Sequence, residues 1–233
     1  MGPSGQRIIQ EANSARHSFV KTSPGESRTV LFLVALSLEA SALLEQLPFQ
    51  KEEWAGIPLY RCSRLPFALL RPGMGAPSRP EQIQALLTTL HPQWVVNIGF
   101  AGALDPELTF GEPFIITEAK RCAAGGAEVL EPIDRLFPGL AWRKGIICTM
   151  DAPVTSERLR TRLRRSTGAE LVDMECFHLA RLAHRTGLPF SAVKVVSDFA
   201  DYRAAEVFRN QKAVLKQHLS TAFQTLVNAF KEQ

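Results

Sequence analysis

The sequence predicts one α/β domain, with helices layered around a largely parallel or mixed β-sheet. Two observations carry this. Apolar runs of strand length alternate with helix-period segments along the chain from Thr29 onward. The 233 residues are enough for one large core, and no repeat, low-complexity block or linker divides them. The polar, Ser- and Gly-rich stretch 1–28 is expected to be a flexible arm, with the domain spanning 29–233.

"TVLFLVALS" (Thr29–Ser37) is a continuous apolar run with β-branched residues, the mark of a strand buried on both faces. "LEASALLEQL" follows with helical spacing of Leu38, Ala42, Leu43 and Leu47, and Pro48 ends it. "PLYRCSRLPFALLRPGMG" reads as strand, turn, strand and Gly-rich turn. "SRPEQIQALLTTL" reads as a helix capped by Ser78, with Pro80 and Glu81 suited to its first turn. "WVVNIGFAG" and "EPFIITEAK" are strands, "RCAAGGAEVLEPIDRLFPGLAW" is loop-like, and "KGIICTM" is a strand. An Arg-rich helix, a short strand "AELVDM", a helix "ECFHLARLAHRTG" stopped by Gly187, and a strand "PFSAVKVVSDFAD" come next. The C-terminus is one long amphipathic helix or two.

The net charge of +4 is mild, and arginines 158, 160, 162, 164 and 165 crowd one helix. No aromatic interleaves them, so a solvated amphipathic helix with Leu159 and Leu163 inward is preferred over a nucleic-acid face. Cys62, Cys122, Cys148 and Cys176 have no metal-ligand spacing and are expected as reduced thiols in a cytoplasmic protein. No stretch is long and apolar enough to span a membrane. His178 and His184 do not share a helix face at ligand spacing, so no metal is expected.

In layered α/β proteins ligands sit beyond the strand ends. Here those ends carry Glu39, "RPGMGAPS", "NIGFAG", "VDME" and "SDFAD". Taken singly, each has a bland reading: Glu39 and Glu175 as first-turn helix acids, Asp198 as a turn residue, and glycines 73, 75, 99 and 102 as turn formers. Their shared position suggests one ring of polar groups around a pocket.

With "DAPV", these motifs in this order resemble the superfamily of purine nucleoside phosphorylases and methylthioadenosine/S-adenosylhomocysteine nucleosidases, over roughly residues 30 to 230. "VDME" followed by "VVSDFAD" is the most specific part. The resemblance implies a three-layer domain with a central mixed, partly barrel-like sheet flanked by helices. It implies cleavage of the N-glycosidic bond of a purine nucleoside, with adenine the expected base. By motif, Asp198 resembles the general acid that protonates N7, with Ser197 as its positioning neighbour. Glu39 resembles the acid that activates water, Glu175 the acid that binds ribose hydroxyls, and Met174 the residue packed on the ribose. Val154 resembles the residue whose backbone reads the base edge. Pro153, Gly73, Phe100, Ala101 and Lys194 fall at further substrate-binding positions. No cofactor is implied, the partner is a small-molecule nucleoside rather than nucleic acid, and a homodimer is expected.

The chemistry is coherent. Glycosidic cleavage passes through an oxocarbenium-like state. It needs a proton for the leaving base, a carboxylate near the ribose and an acid that orients water. Asn97 stands where the phosphorylases resemble one another in carrying a phosphate-binding arginine, which favours water as nucleophile. Pro72, Phe100 and Lys194 depart from the nucleosidase pattern of Ser, Ser and Arg, so a phosphorylase and a nucleoside-binding protein without turnover stand as alternatives. The segment from Cys122 to Trp142 is shorter than its counterpart, which implies an open site and a bulky 5′-substituent. "DAPV" and "VDME" also resemble the hopanoid-associated branch, which acts on an adenosylated triterpenoid.

Overall fold

The computed structural model describes residues 29–74, 79–123, 126–129, 133, 136–137 and 139–232. The expected arm, the Ser78 cap and Gly75 lie outside them, as does much of the segment between Cys122 and Trp142. In chain order the strands are β1 (Val30–Leu33), β2 (Phe49–Trp54), β3 (Ile57–Cys62), β4 (Phe67–Leu70), β5 (Trp94–Ala103), β6 (Pro113–Ala123), β7 (Gly126–Val129), β8 (Arg143–Thr149), β9 (Leu171–Asp173) and β10 (Phe190–Asp198). The helices are α1 (Ser37–Leu44), α2 (Pro80–Leu90), α3 (Glu157–Thr167), α4 (Cys176–Arg185), α5 (Ala204–Asn210) and α6 (Lys212–Lys231).

Five strands close on themselves. β5 pairs parallel with β10, β10 antiparallel with β6, β6 parallel with β8, β8 parallel with β9, and β9 antiparallel with β5. A wing of β1, β4, β3 and β2 extends from the first half of β5, on the edge opposite β10. The mixed, partly barrel-like sheet expected from the sequence is therefore present.

Burial on both faces explains the unbroken apolar runs. Along β1, Leu31 and Leu33 pack with Ile83 and Leu87 of α2 and Phe177 and Ala180 of α4. Val30 and Phe32 pack the other way, with Leu43 of α1 and Phe223 and Leu226 of α6. Phe32 meets Phe67 and Phe223 edge-on, with ring centroids 5.4 and 5.1 Å apart. These two faces make the helical outer layers. On α3, Leu163 is buried and Leu159 packs beside it, as the amphipathic reading expects.

Three expectations need correction. The hairpin β2–β3 has its second strand in the sequence reading but not its first, because Lys51, Glu52 and Glu53 of β2 are all exposed and leave no alternating pattern. Its turn residues Ala55 and Gly56 both have positive φ, 47° and 75°, as twisted two-residue hairpins require. The stretch after Arg121 is only partly loop, since β6 runs on to Ala123 and pairs with β7. Finally, Cys122 and Cys148 form a disulfide, leaving Cys62 and Cys176 as the free thiols. Parallel pairing of β6 with β8 places Lys120 opposite Cys148 and so brings together cysteines 26 residues apart. The thiol argument for a reducing compartment goes with it. Among the described residues no helix is long and apolar enough to cross a membrane.

Candidate active site

A cavity of about 490 Å³ opens beyond the C-terminal ends of β1, β8, β9 and β10 and against the last turns of β5. Most of its walls come from different strand ends, so pairing within the sheet brings separated motifs into one site.

Glu39 lies in the first turn of α1, only 4% exposed. Its Oε2 accepts the amides of Ala35 and Leu36, each at 2.7 Å, and its Oε1 accepts the Phe100 amide at 2.8 Å. Two of these are the otherwise unpaired amides of a helix entry, so the carboxylate doubles as a cap. Burial raises its carboxyl above the ordinary range, opposed by the positive charge of Lys194 and by the amides of Leu36, Phe100 and Ala35.

Gly99 explains how Glu39 reaches this position. A Cβ on Gly99 would stand 2.3 Å from Glu39 Oε1. Gly102 does the same for Asp198, whose Oδ1 would lie 2.9 Å from an added Cβ. Both glycines lie within β5, so they are not turn formers; they make room for carboxylates. Gly99→Ala is expected to displace Glu39 and lower turnover at least about tenfold with the fold retained, because misplacing a reacting group by an ångström is that costly. Steady-state kinetics beside a thermal melt check it, and unchanged turnover would refute this role.

Asp198 ends β10 at a β-bulge: Val196 pairs with Ala101 and Asp198 with Gly102, leaving Ser197 as the extra residue. The bulge turns Asp198 toward the cavity. Its Oδ1 accepts the Ala200 amide at 2.8 Å, and its Oδ2 accepts the Ser197 hydroxyl at 2.7 Å. The same hydroxyl has a second acceptor, the Ala101 carbonyl, at 3.3 Å. It donates to the carboxylate when Asp198 is ionised, and it is free to turn to the carbonyl when Asp198 holds a proton.

At the β9–α4 junction, Met174 and Glu175 line the cavity. Asp173 supports them from below. Its Oδ2 accepts the Cys176 amide at 2.9 Å, and its Oδ1 accepts the Thr149 hydroxyl at 2.7 Å. Thr149 Oγ1 in turn accepts the Phe177 amide at 3.0 Å, so the start of α4 is fixed to β8.

Of the other positions, Phe100, Ala101, Pro153 and Val154 line the cavity. Gly73 does not; its neighbour Met74 takes that place. Lys194 is also not on the wall. Its ammonium, 2.9 Å from Asp173 Oδ2, is held in a buried ion pair. The two-helix reading of the C-terminus holds, but the sequence reading did not place α5 in the site, where its Ala204, Ala205, Phe208 and Arg209 close one side. Phe208 packs edge-on against Phe100 at 5.6 Å. The i, i+1, i+4, i+5 spacing of these four was the available signal.

Comparisons with known proteins place the fold and the family. Residues 29–231 match the model of the phosphorylase superfamily. A 5′-methylthioadenosine/S-adenosylhomocysteine nucleosidase of Glaesserella parasuis is 28% identical, over 72% of this chain and 84% of its own. The Helicobacter pylori enzyme of the same name, crystallised with butyl-thio-DADMe-Immucillin-A, superposes with a TM-score of 0.77 at 18% identity, covering 88% of this chain and 99% of its own. A futalosine hydrolase of Helicobacter pylori also gives a TM-score of 0.77 at 18% identity, covering 89% and 99%.

Proposed function

The chain belongs to the phosphorylase superfamily, and from that membership we propose that it hydrolyses the N-glycosidic bond of a 5′-substituted purine nucleoside, releasing adenine. One observation carries the reading: Glu39, Glu175 and Asp198 arrive from three strand ends, with Asp173 beside them, in one otherwise largely apolar cavity. In this reading Asp198 delivers a proton to N7 of the leaving base. Ser197 stays hydrogen-bonded through both protonation states. Glu175 holds the ribose hydroxyls and favours the developing positive charge, while Met174 packs on the sugar. Glu39, held by three amides, takes a proton from the attacking water. The Val154 backbone reads the base edge, beside Pro153. A homodimer in the cytoplasm is part of the same proposal.

The charge at the cavity favours water over phosphate. Among the described lining residues the one cation is Arg209, on α5, while the depth of the cavity carries carboxylates. Lys194, the basic residue nearest them, is already paired with Asp173. Among the described residues a phosphate would meet like charge there without a cationic clamp.

The test is adenine release from 5′-methylthioadenosine in phosphate-free buffer and in buffer with phosphate. Equal release in both supports hydrolysis. Release only with phosphate makes the protein a phosphorylase, and tight binding without release makes it a binding protein. The acid limb of kcat/KM is expected above the ordinary carboxylate range, because Glu39 must be ionised to act and burial raises its carboxyl. A pH–rate profile reads that limb directly.

A further inference from the structure

Lys194 occupies the middle of β10, where it pairs with Gly99 of β5 on one side and Phe114 of β6 on the other. Gly99 aims its missing Cβ at the Glu39 carboxylate. In-register neighbours of a sheet share a face, so the Lys194 side chain runs on the Glu39 side. Only 2% of that side chain is exposed, and its ammonium lies 2.9 Å from Asp173 Oδ2. Asp173 is itself held by the Thr149 hydroxyl and the Cys176 amide, one residue beyond Glu175. The cation therefore sits behind the cavity wall, anchored on one acid and flanked by two that face the substrate.

We propose that Lys194 is a positioning residue: one buried ammonium, fixed by Asp173, supplies the positive charge that stands behind the cavity on the Glu39 side. This rests on the hydrolase reading of the site. Three carboxylates packed together without a cation would repel one another and take up protons. The groups facing Lys194 are Asp173 from β9, Cys176 and Glu175 from the start of α4, and Glu39 from α1. The Cys176 thiol is pushed well up by burial and adds no charge. Burial works against the ammonium of Lys194, yet Asp173, with Glu175 and Glu39 behind it, keeps it above the ordinary lysine range. Water activation needs an ionised Glu39, so the lysine acts on the reaction without touching it. A lysine serving only as a staple between β10 and β9 would instead govern stability and leave the pH dependence alone.

The experiment compares pH profiles of kcat/KM for 5′-methylthioadenosine in wild type, Lys194→Met, Lys194→Arg and the double variant Lys194→Met/Asp173→Asn. The double variant removes both charges together, so no unpaired buried ion threatens its folding. The expected result is an acid limb moved up by about one pH unit or more in Lys194→Met, moved up by less in the double variant because loss of the Asp173 charge offsets part of the effect, and unmoved in Lys194→Arg. Just below the wild-type limb this reads as an about tenfold drop in kcat/KM. A folded Met or double variant with its limb in the wild-type place overturns the inference, as does an equal shift in Lys194→Arg. Wild-type protein that releases no adenine removes the hydrolase reading and the inference together. An active variant with an unmoved limb removes the inference alone.

Discussion

Asp198→Asn is expected to lower adenine release by about 10²- to 10⁴-fold, the usual contribution of a positioned general acid. The fold should survive. Asparagine keeps an oxygen for the Ala200 amide, which now bonds Oδ1 at 2.8 Å. Its NH₂ group replaces Oδ2 beside Ser197, whose hydroxyl can turn to the Ala101 carbonyl at 3.3 Å and accept instead. What the variant lacks is a proton it can give up to N7 at neutral pH. Single-turnover release of adenine from 5′-methylthioadenosine, set beside a thermal melt, measures both halves. Release within threefold of wild type would end the general-acid assignment. Loss of release with a collapsed melting temperature would point to a structural role.

Glu39→Gln should remove water activation and lower turnover by about 10²-fold or more. It also has a stability signature. The carboxylate accepts three amides through two oxygens, and glutamine offers one oxygen and a donor. Either the Phe100 amide or the pair from Ala35 and Leu36 then loses its acceptor, at a cost of about 1–3 kcal/mol. The pH dependence follows from the raised carboxyl of Glu39. A folded-state value above the unfolded one gives stability that is fully present below the unfolded value. That stability is lost as pH rises through the folded value. The advantage of wild type over Glu39→Gln should therefore widen as pH falls toward the carboxylate range. Thermal melts of both proteins across that range test the sign; a gap that narrows at low pH would contradict the burial of an ionising Glu39.

Much of this site is legible along the chain because its parts are local. "VDME", "NIGFAG" and "SDFAD" each mark the end of an apolar run, and strand ends are where an α/β sheet meets its ligand. Glu39, Met174, Glu175, Ser197 and Asp198 all line one cavity. Gly99 and Gly102 were visible as glycines, but the reason for them was not. Each clears a carboxylate that arrives from another element, and nothing near them in sequence indicates that.

Lys194 shows the limit most clearly. Its place before Asp198 suggests a cation in the site, as an arginine would be in the resembling nucleosidases. Its partner, Asp173, is set by the pairing of β10 with β5 and of β5 with β9, and that ion pair holds the ammonium behind the lining residues. The Cys122–Cys148 bond and the α5 wall are hidden for the same reason, since both depend on which surfaces meet.

The sequence by itself determined the alternation of strands and helices, a layered α/β domain with a largely parallel or mixed sheet, and the acids at its strand ends. These follow from hydrophobic period, turn chemistry and motif, all of which act between near neighbours in the chain. Tertiary structure alone decided which acid is held by amides, which glycine makes room for it, and which carboxylate takes the buried cation. Those outcomes depend on contacts across strands, where burial and charge act through space and not along the chain.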